Sequence, residues 1–202
     1  MCDYIEKELK AEDINLLLFP VGLSTEHKEL CGSITFKPMT YYHMLYDICV
    51  SLAQHGFKKI VLLVCHGGNA PVANLISREV RSDFKVYPFV LNSGAFDHPA
   101  VKATISKGNT FDFHSGEMET SMVMAIDESL VKLETSEKGI PKNTAMKAHL
   151  SWLASDWVTE QQKPFGIGGD PKGATKEKGE IILSISAKEI AKQLIAIRDF
   201  KE

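Results

Sequence analysis

The chain has 202 residues, a formal net charge of -3 and a hydrophobic content of 44%. That length can bury a sizeable core and predicts a single domain over residues 1–202, while 23 basic against 26 acidic residues give no electrostatic basis for wrapping nucleic acid or an anionic membrane. Four scattered cysteines, Cys2, Cys31, Cys49 and Cys65, form no CxxC pair and fit neither a structural zinc site nor a small disulfide framework.

With no basic, apolar leader and no run long enough to span a bilayer, the expectation is a cytoplasmic protein whose partners are small molecules or proteins.

In chain order, YIEKELKAE at 4–12 is rich in helix formers. INLLLF at 14–19, ended by Pro20, predicts a strand buried on both faces. GSITF at 32–36 alternates like a second strand. MTYYHMLYDICVSLAQHGF carries apolar residues at 41, 45, 48, 49 and 52, the spacing of an amphipathic helix, with Thr40 as its cap and Gly56 at its end. KKIVLLVC at 58–65 is a buried strand, and APVANLISREVRS continues as a helix with Pro71 in its first turn. FKVYPFVL at 84–91 is a further strand. Residues 92–112 and 134–173 have weak periodicity and predict loops, separated by a helix over 117–130. The chain ends in a long helix with apolar positions near 181, 182, 185, 190, 194 and 197. This alternation predicts an α/β fold, a mostly parallel sheet with helices on both faces.

Ligands of open α/β sheets gather beyond the carboxyl ends of the strands, where three polar clusters fall: STEH at 24–27, HGGN at 66–69 and DFHSGEMETS at 112–121. His66, at a strand end and followed by two glycines, suits a ligand or catalytic group, although a packed structural histidine or an anion-binding turn on the glycine amides is the competing reading. Glu117 in the first turn of its helix is either a helix-dipole residue or a carboxylate facing a metal, while Glu119 points elsewhere. Glu26 and His27, if extended, point to opposite sides, so at most one faces a common pocket. Cys65 beside His66 is read as structural, because neighbours in a strand face opposite ways. His43 and His55 are read as surface residues of their helix, Trp152 and Trp157 as pocket covers or packing, and GIGGDP at 166–171 as a turn.

Taken together, FPVGLSTEHKELCGSITF, IVLLVCHGGNAPVANLI, FHSGEMETSMVMAI and GIGGDPKGATKEKGEIIL resemble, in order and spacing, the creatininase (creatinine amidohydrolase) family over nearly the whole chain. The resemblance implies a three-layer α/β/α sandwich and a homo-oligomer, hexameric in the family. It also implies a dinuclear Zn, Mn or Fe(II) site that hydrolyses amide bonds of creatinine, formamide or peptide-like small molecules. By matching motif, His66 and Glu117 look like metal ligands and His114 like the catalytic histidine beside the reacting carbonyl. Glu26, His27, Gly67 and Asn69 look like substrate-binding positions. Cys31 and Cys65 stand where the family commonly has proline and glycine.

The family's N-terminal E-x-H-G-x-H-L-P-x-x-T-D segment, which supplies three further ligands, has no counterpart ahead of INLLLFP, and Asp3 lies out of register with its aspartate. Two ligands fall short of the roughly three that a catalytic ion needs. The expectation is therefore either an amidohydrolase completed by a separate N-terminal piece or a longer gene product, or a noncatalytic binding or assembly subunit whose divalent metal is absent.

Overall fold

In the computed structural model, which describes residues 1–10, 14–109, 111–143 and 151–201, KIVLLV forms β1 (Lys59–Val64) and YPFVLN forms β2 (Tyr87–Asn92). The two pair in parallel, Lys59 opposite Tyr87 through Val64 opposite Asn92, and α3 (Ala70–Asp83) makes the crossover between them. A parallel pair needs such a crossover, because its ends lie at opposite edges.

By internal contacts the chain resolves into two compact units: residues 1–28, 33–94 and 187–202 form the first, and residues 29–32 and 95–186 the second. In the first, the period of two along β1 splits its side chains between two cores. Ile60, with Leu62 against it, joins Tyr41, Leu45 and Cys49 of α2 (Pro38–Gln54) and Ile76 and Val80 of α3. Val61 and Leu63 pack instead against Ile5 and Leu9 of α1 (Cys2–Leu9) and Ala187, Ile190, Ala191 and Leu194. Helices thus cover both faces of the parallel pair, the α/β/α layering expected. Each fully buried aliphatic side chain contributes about 1.5–3 kcal/mol, and the spacings 41/45/49 and 187/190/191/194 put them on single helical stripes.

The second unit holds α4 (Pro99–Lys102), α5 (Glu117–Asp127) and an antiparallel two-residue pair, β3 (Ile140–Pro141) with β4 (Trp157–Val158). It also takes residues 176–186 of the long C-terminal helix α6 (Lys176–Asp199). Among the described residues, no helix is long and apolar enough to cross a membrane.

Several expectations change. Residues 14–19 and 32–36 join no strand ladder: Ile14 and Leu16 pack on the α1 core, but Leu17 and Leu18 are exposed, and Ile34 is 75% exposed. Residues 32–36 bond instead to the stretch at 22–24, Phe36 N–H to Gly22 O and Ser24 N–H to Thr35 Oγ1, so apolar content alone does not bring a strand a partner. Helix α2 starts two residues before the expected cap Thr40, because Pro38 with its fixed φ takes the first turn after Lys37. On α6 the inward face holds Ile182, Leu183 and Ser186, and Ile181 turns outward. Residues 11–12 of the first predicted helix, residue 110 of the first predicted loop and residues 144–150 of the second lie outside the described residues.

Candidate functional site

Strand β1 delivers the backbone to His66, which is still extended at φ -140, and Gly67–Asn69 then turn once in a 3-10 helix before α3 begins. His66 O accepts from Asn69 N–H, closing that turn. Across from it, Thr25–His27 form a second single turn of 3-10 helix. The Asn69 side chain joins the two loops: its Oδ1 accepts from Leu23 N–H at 2.8 Å. Asn69, expected to bind substrate, is thus seen holding the loop that carries Glu26 and His27. Gly67 faces open space where a side chain would stand.

The turn at 25–27 overrides the expectation for Glu26 and His27. Because the backbone coils there instead of extending, their side chains converge with His66, and one donor atom from each of the three lies within 4.8 Å of the others. Glu26 Oε1 is 2.7 Å from His66 Nε2 and 3.8 Å from His27 Nδ1. Ser24 Oγ lies 2.8 Å from His27 Nδ1, an outer contact of the kind that fixes ring orientation and tautomer.

The short Glu26–His66 contact is an ion-pair distance without hydrogen-bond alignment. His66 Nε2 is buried and lacks an aligned partner, although the carboxylate oxygen is close. A carboxylate oxygen and an imidazole nitrogen held this close, with no aligned hydrogen bond, suit a shared ion. A small separation of the pair would let these donors hold a divalent ion between them. Gly68 makes the approach possible: a Cβ there would lie 2.6 Å from Glu26 Oε1, 2.7 Å from His66 Nε2 and 2.8 Å from Leu23 O. Two imidazoles and one carboxylate are a donor set for a divalent transition ion, three protein ligands with room for water.

In the second unit, the start of α5 gathers the remaining residues. His114 forms an isolated antiparallel bridge with Gly168, and Ser115 follows at φ 52, the left-handed region that side chains other than glycine seldom occupy. Asp112 Oδ2 accepts from Met118 N–H at 2.9 Å and so caps the helix. Burial raises the Asp112 carboxyl above its ordinary range, against that bond, and the Glu119 and Glu117 carboxylates add to the rise. A Cβ on Gly116 would lie 1.9 Å from Asp112 Oδ1, so only glycine lets the cap close. His114 Nε2 is 3.2 Å from Ser115 Oγ, its Nδ1 is 3.7 Å from Glu119 Oε2, and its ring lies 5.3 Å from that of Trp152.

Glu117 is 1% exposed, and its carboxylate is engaged from every side described. It accepts from Ser106 N–H and Oγ, from Asn109 Nδ2 at 2.9 Å and from Lys178 Nζ. Lys178 also donates to Gly173 O at 2.7 Å. Burial alone would push this carboxyl up, but the Lys178, Asn109 and Ser106 donors outweigh it and hold it below its ordinary range. A metal could use these lone pairs only in place of the donors already there. Sequence reading missed Lys178, Ser106 and Asn109, since nothing in the spacing of EKGE or SKGN ties them to a carboxylate at 117; Asp112 was legible only as part of a polar cluster.

A family model described as Creatininase: Creatinine amidohydrolase matches residues 1–194. Among solved structures, a protein assigned as a creatinine amidohydrolase from Bacteroides fragilis aligns at TM-score 0.77 and 24% identity, over 99% of this chain and 79% of its own. A creatinine amidohydrolase (creatininase) aligns at TM-score 0.71 and 23% identity, over 99% and 80%. A creatininase described with Mn aligns at TM-score 0.69 and 23% identity, over 96% and 79%. Similar structures also include a mutant creatininase of Zn-Zn type and one complexed with creatine. No curated protein matches the chain by sequence.

Proposed function

The chain belongs to the creatininase (creatinine amidohydrolase) family, and from that premise we propose that it is a metal-dependent amidohydrolase cleaving the C–N bond of a small amide, with Glu26, His27 and His66 holding the ion. The observation that carries this reading is the buried His66 Nε2, 2.7 Å from a carboxylate oxygen yet without an aligned hydrogen bond, in a cradle that the missing side chain of Gly68 leaves open. When bound, a divalent ion supplies a Lewis acid and lowers the pKa of its water toward neutrality.

The chain's own groups do the rest. Ser24 orients the His27 ring, and Asn69 fixes the Leu23 backbone leading into the Glu26 turn. Gly67 leaves space in front of the HGGN turn for a substrate. The role of passing a proton to the departing amine, suited to an imidazole, is the one the family motif implies for His114. Zinc or manganese is the expected metal, by analogy with the Zn-Zn and Mn creatininases; Fe(II) would suit the same donors. A cyclic amide of creatinine type, a formamide and a short peptide-like amide are the substrates to assay, and a homo-oligomer is the expected assembly.

The test is metal content after dialysis against a weak chelator, followed by amide hydrolysis with Zn or Mn restored. Stoichiometric metal lost in His66→Ala, with amide turnover lost alongside, supports the reading. Wild-type protein that binds neither metal refutes it.

One observation favours a second reading, a noncatalytic binding or assembly subunit. The Glu117 carboxylate is committed to Lys178, Ser106 and Asn109, a structural anchor in place of a ligand. Under that reading the chain binds small amides in calorimetry and releases no amine from them with either metal present.

A further inference from the structure

His114, Ser115 and Glu119 stand in the relation of base, nucleophile and orienting carboxylate. Ser115 Oγ is 3.2 Å from His114 Nε2, within hydrogen-bond reach, and His114 Nδ1, on the far side of the ring, is 3.7 Å from Glu119 Oε2. Such contacts are commonly loose without substrate and tighten when it binds. The carboxylate cannot drift away, because Ser115 N–H donates to the same Oε2.

The backbone adds an independent observation. Ser115 has φ 52 and sits between the bridge residue His114 and the first residues of α5. Nucleophilic serines of hydrolases occupy this kind of strained turn from an extended segment into a helix, and strain of this sort clusters at functional sites. Beside it opens a groove of about 360 Å³ whose lining includes Ser115, Glu119, Val123, Leu130, Lys132 and Leu133. Val123 and Leu130 are 39% and 69% exposed, so an accessible apolar wall belongs to the groove that Ser115 also lines.

We infer that Ser115, with His114 as base and Glu119 as positioning residue, is a nucleophile for short aliphatic carboxylic esters, an activity that uses no metal and goes beyond the proposed amidohydrolase function. Ser115 Oγ attacks the ester carbonyl carbon and a new C–O bond forms, while His114 Nε2 takes the hydroxyl proton. The tetrahedral adduct then expels the alkoxide, the old ester C–O bond breaks, and His114 returns the proton to the leaving alcohol. Water, deprotonated by His114, then attacks the acyl carbon and forms a new C–O bond; the acyl–Oγ bond breaks, His114 returns the proton to Ser115 Oγ and the carboxylic acid leaves, so ester and water yield acid and alcohol. The apolar wall takes the acyl chain.

The experiment uses the full chain treated with a strong chelator, p-nitrophenyl butyrate as substrate and an alkyl fluorophosphonate as covalent probe. The expected result is a burst of p-nitrophenol and a phosphonate adduct on the peptide containing Ser115, both unchanged by chelation, so that failure of the metal reading leaves this result untouched. Ser115→Gly should abolish adduct and burst; glycine tolerates the positive φ, so this variant keeps the fold. His114→Ala should slow turnover by roughly 10²–10⁴-fold, and free imidazole should restore part of it. Glu119→Gln should lower kcat with little change in KM, and Glu119→Asp should recover part of the loss. An adduct elsewhere, no adduct at all, or a Ser115→Gly protein that hydrolyses the ester at the wild-type rate overturns the proposal.

Discussion

Glu26 Oε1 and His66 Nε2 lie 2.7 Å apart without hydrogen-bond alignment, brought together by a turn after Ser24 and a turn after β1. If that pair holds an ion, each member is needed. Glu26→Gln and His66→Ala should each lose stoichiometric zinc or manganese, measured by elemental analysis, with unchanged circular dichroism. Ser24→Ala should keep the site but weaken it roughly 10–100-fold, as removal of an orienting contact does. A Ser24→Ala protein with wild-type affinity would remove Ser24 from any orienting role.

Gly68 supplies a separate test, because its obstacle is partly rigid. A methyl group there would meet not only two movable side chains but also the backbone oxygen of Leu23 at 2.8 Å. Gly68→Ala should therefore push the 22–27 loop away, lower stability by about 1–3 kcal/mol as overpacking does, and abolish metal binding. Thermal melts with and without zinc read both effects. A variant still stabilised by zinc like the wild type would place the ion elsewhere.

The cysteines separate by burial. Cys49 is 1% exposed on the inner face of α2, and burial pushes its thiol up to about 11, while Cys31 and Cys65 are exposed. The thiolate is the reactive form. In native protein at pH 8, iodoacetamide should modify Cys31 and Cys65 within minutes and leave Cys49 intact until denaturant is added, as peptide mass mapping would reveal. Early labelling of Cys49 would mean that the α2 core opens readily.

What could be read from the sequence was what depends on local spacing. KIVLLV and its two cores follow from a period of two, and the stripes of α2 and α3 from a period near 3.6, so these elements sit where expected. INLLLF failed because strand formation depends on a partner that no local pattern supplies. At the site, His66 was legible from its place at a strand end, whereas the convergence of Glu26 and His27 was hidden by a single 3-10 turn that reverses the facing of neighbours. The contact between Lys178 and Glu117 spans 61 positions, a separation that leaves no trace in either segment.

That contact gives the last prediction. Glu117 is buried, its carboxyl is held below the ordinary range against the pull of desolvation, and Lys178 is its charged partner. Removing either side strands the other: Glu117→Gln or Lys178→Met should cost about 3–5 kcal/mol, measured by urea unfolding, whereas changing both together should cost less than the two single losses combined. The pH dependence has a definite sign. A carboxyl with a depressed folded-state pKa contributes its full stability above its unfolded value, near 4.5, and loses it as pH falls through the lower folded value. Wild-type stability should thus drop below pH 4.5 by more than that of the Glu117→Gln, Lys178→Met double variant. Equal acid sensitivity of the two proteins would mean that Glu117 is not held ionised by Lys178 in solution.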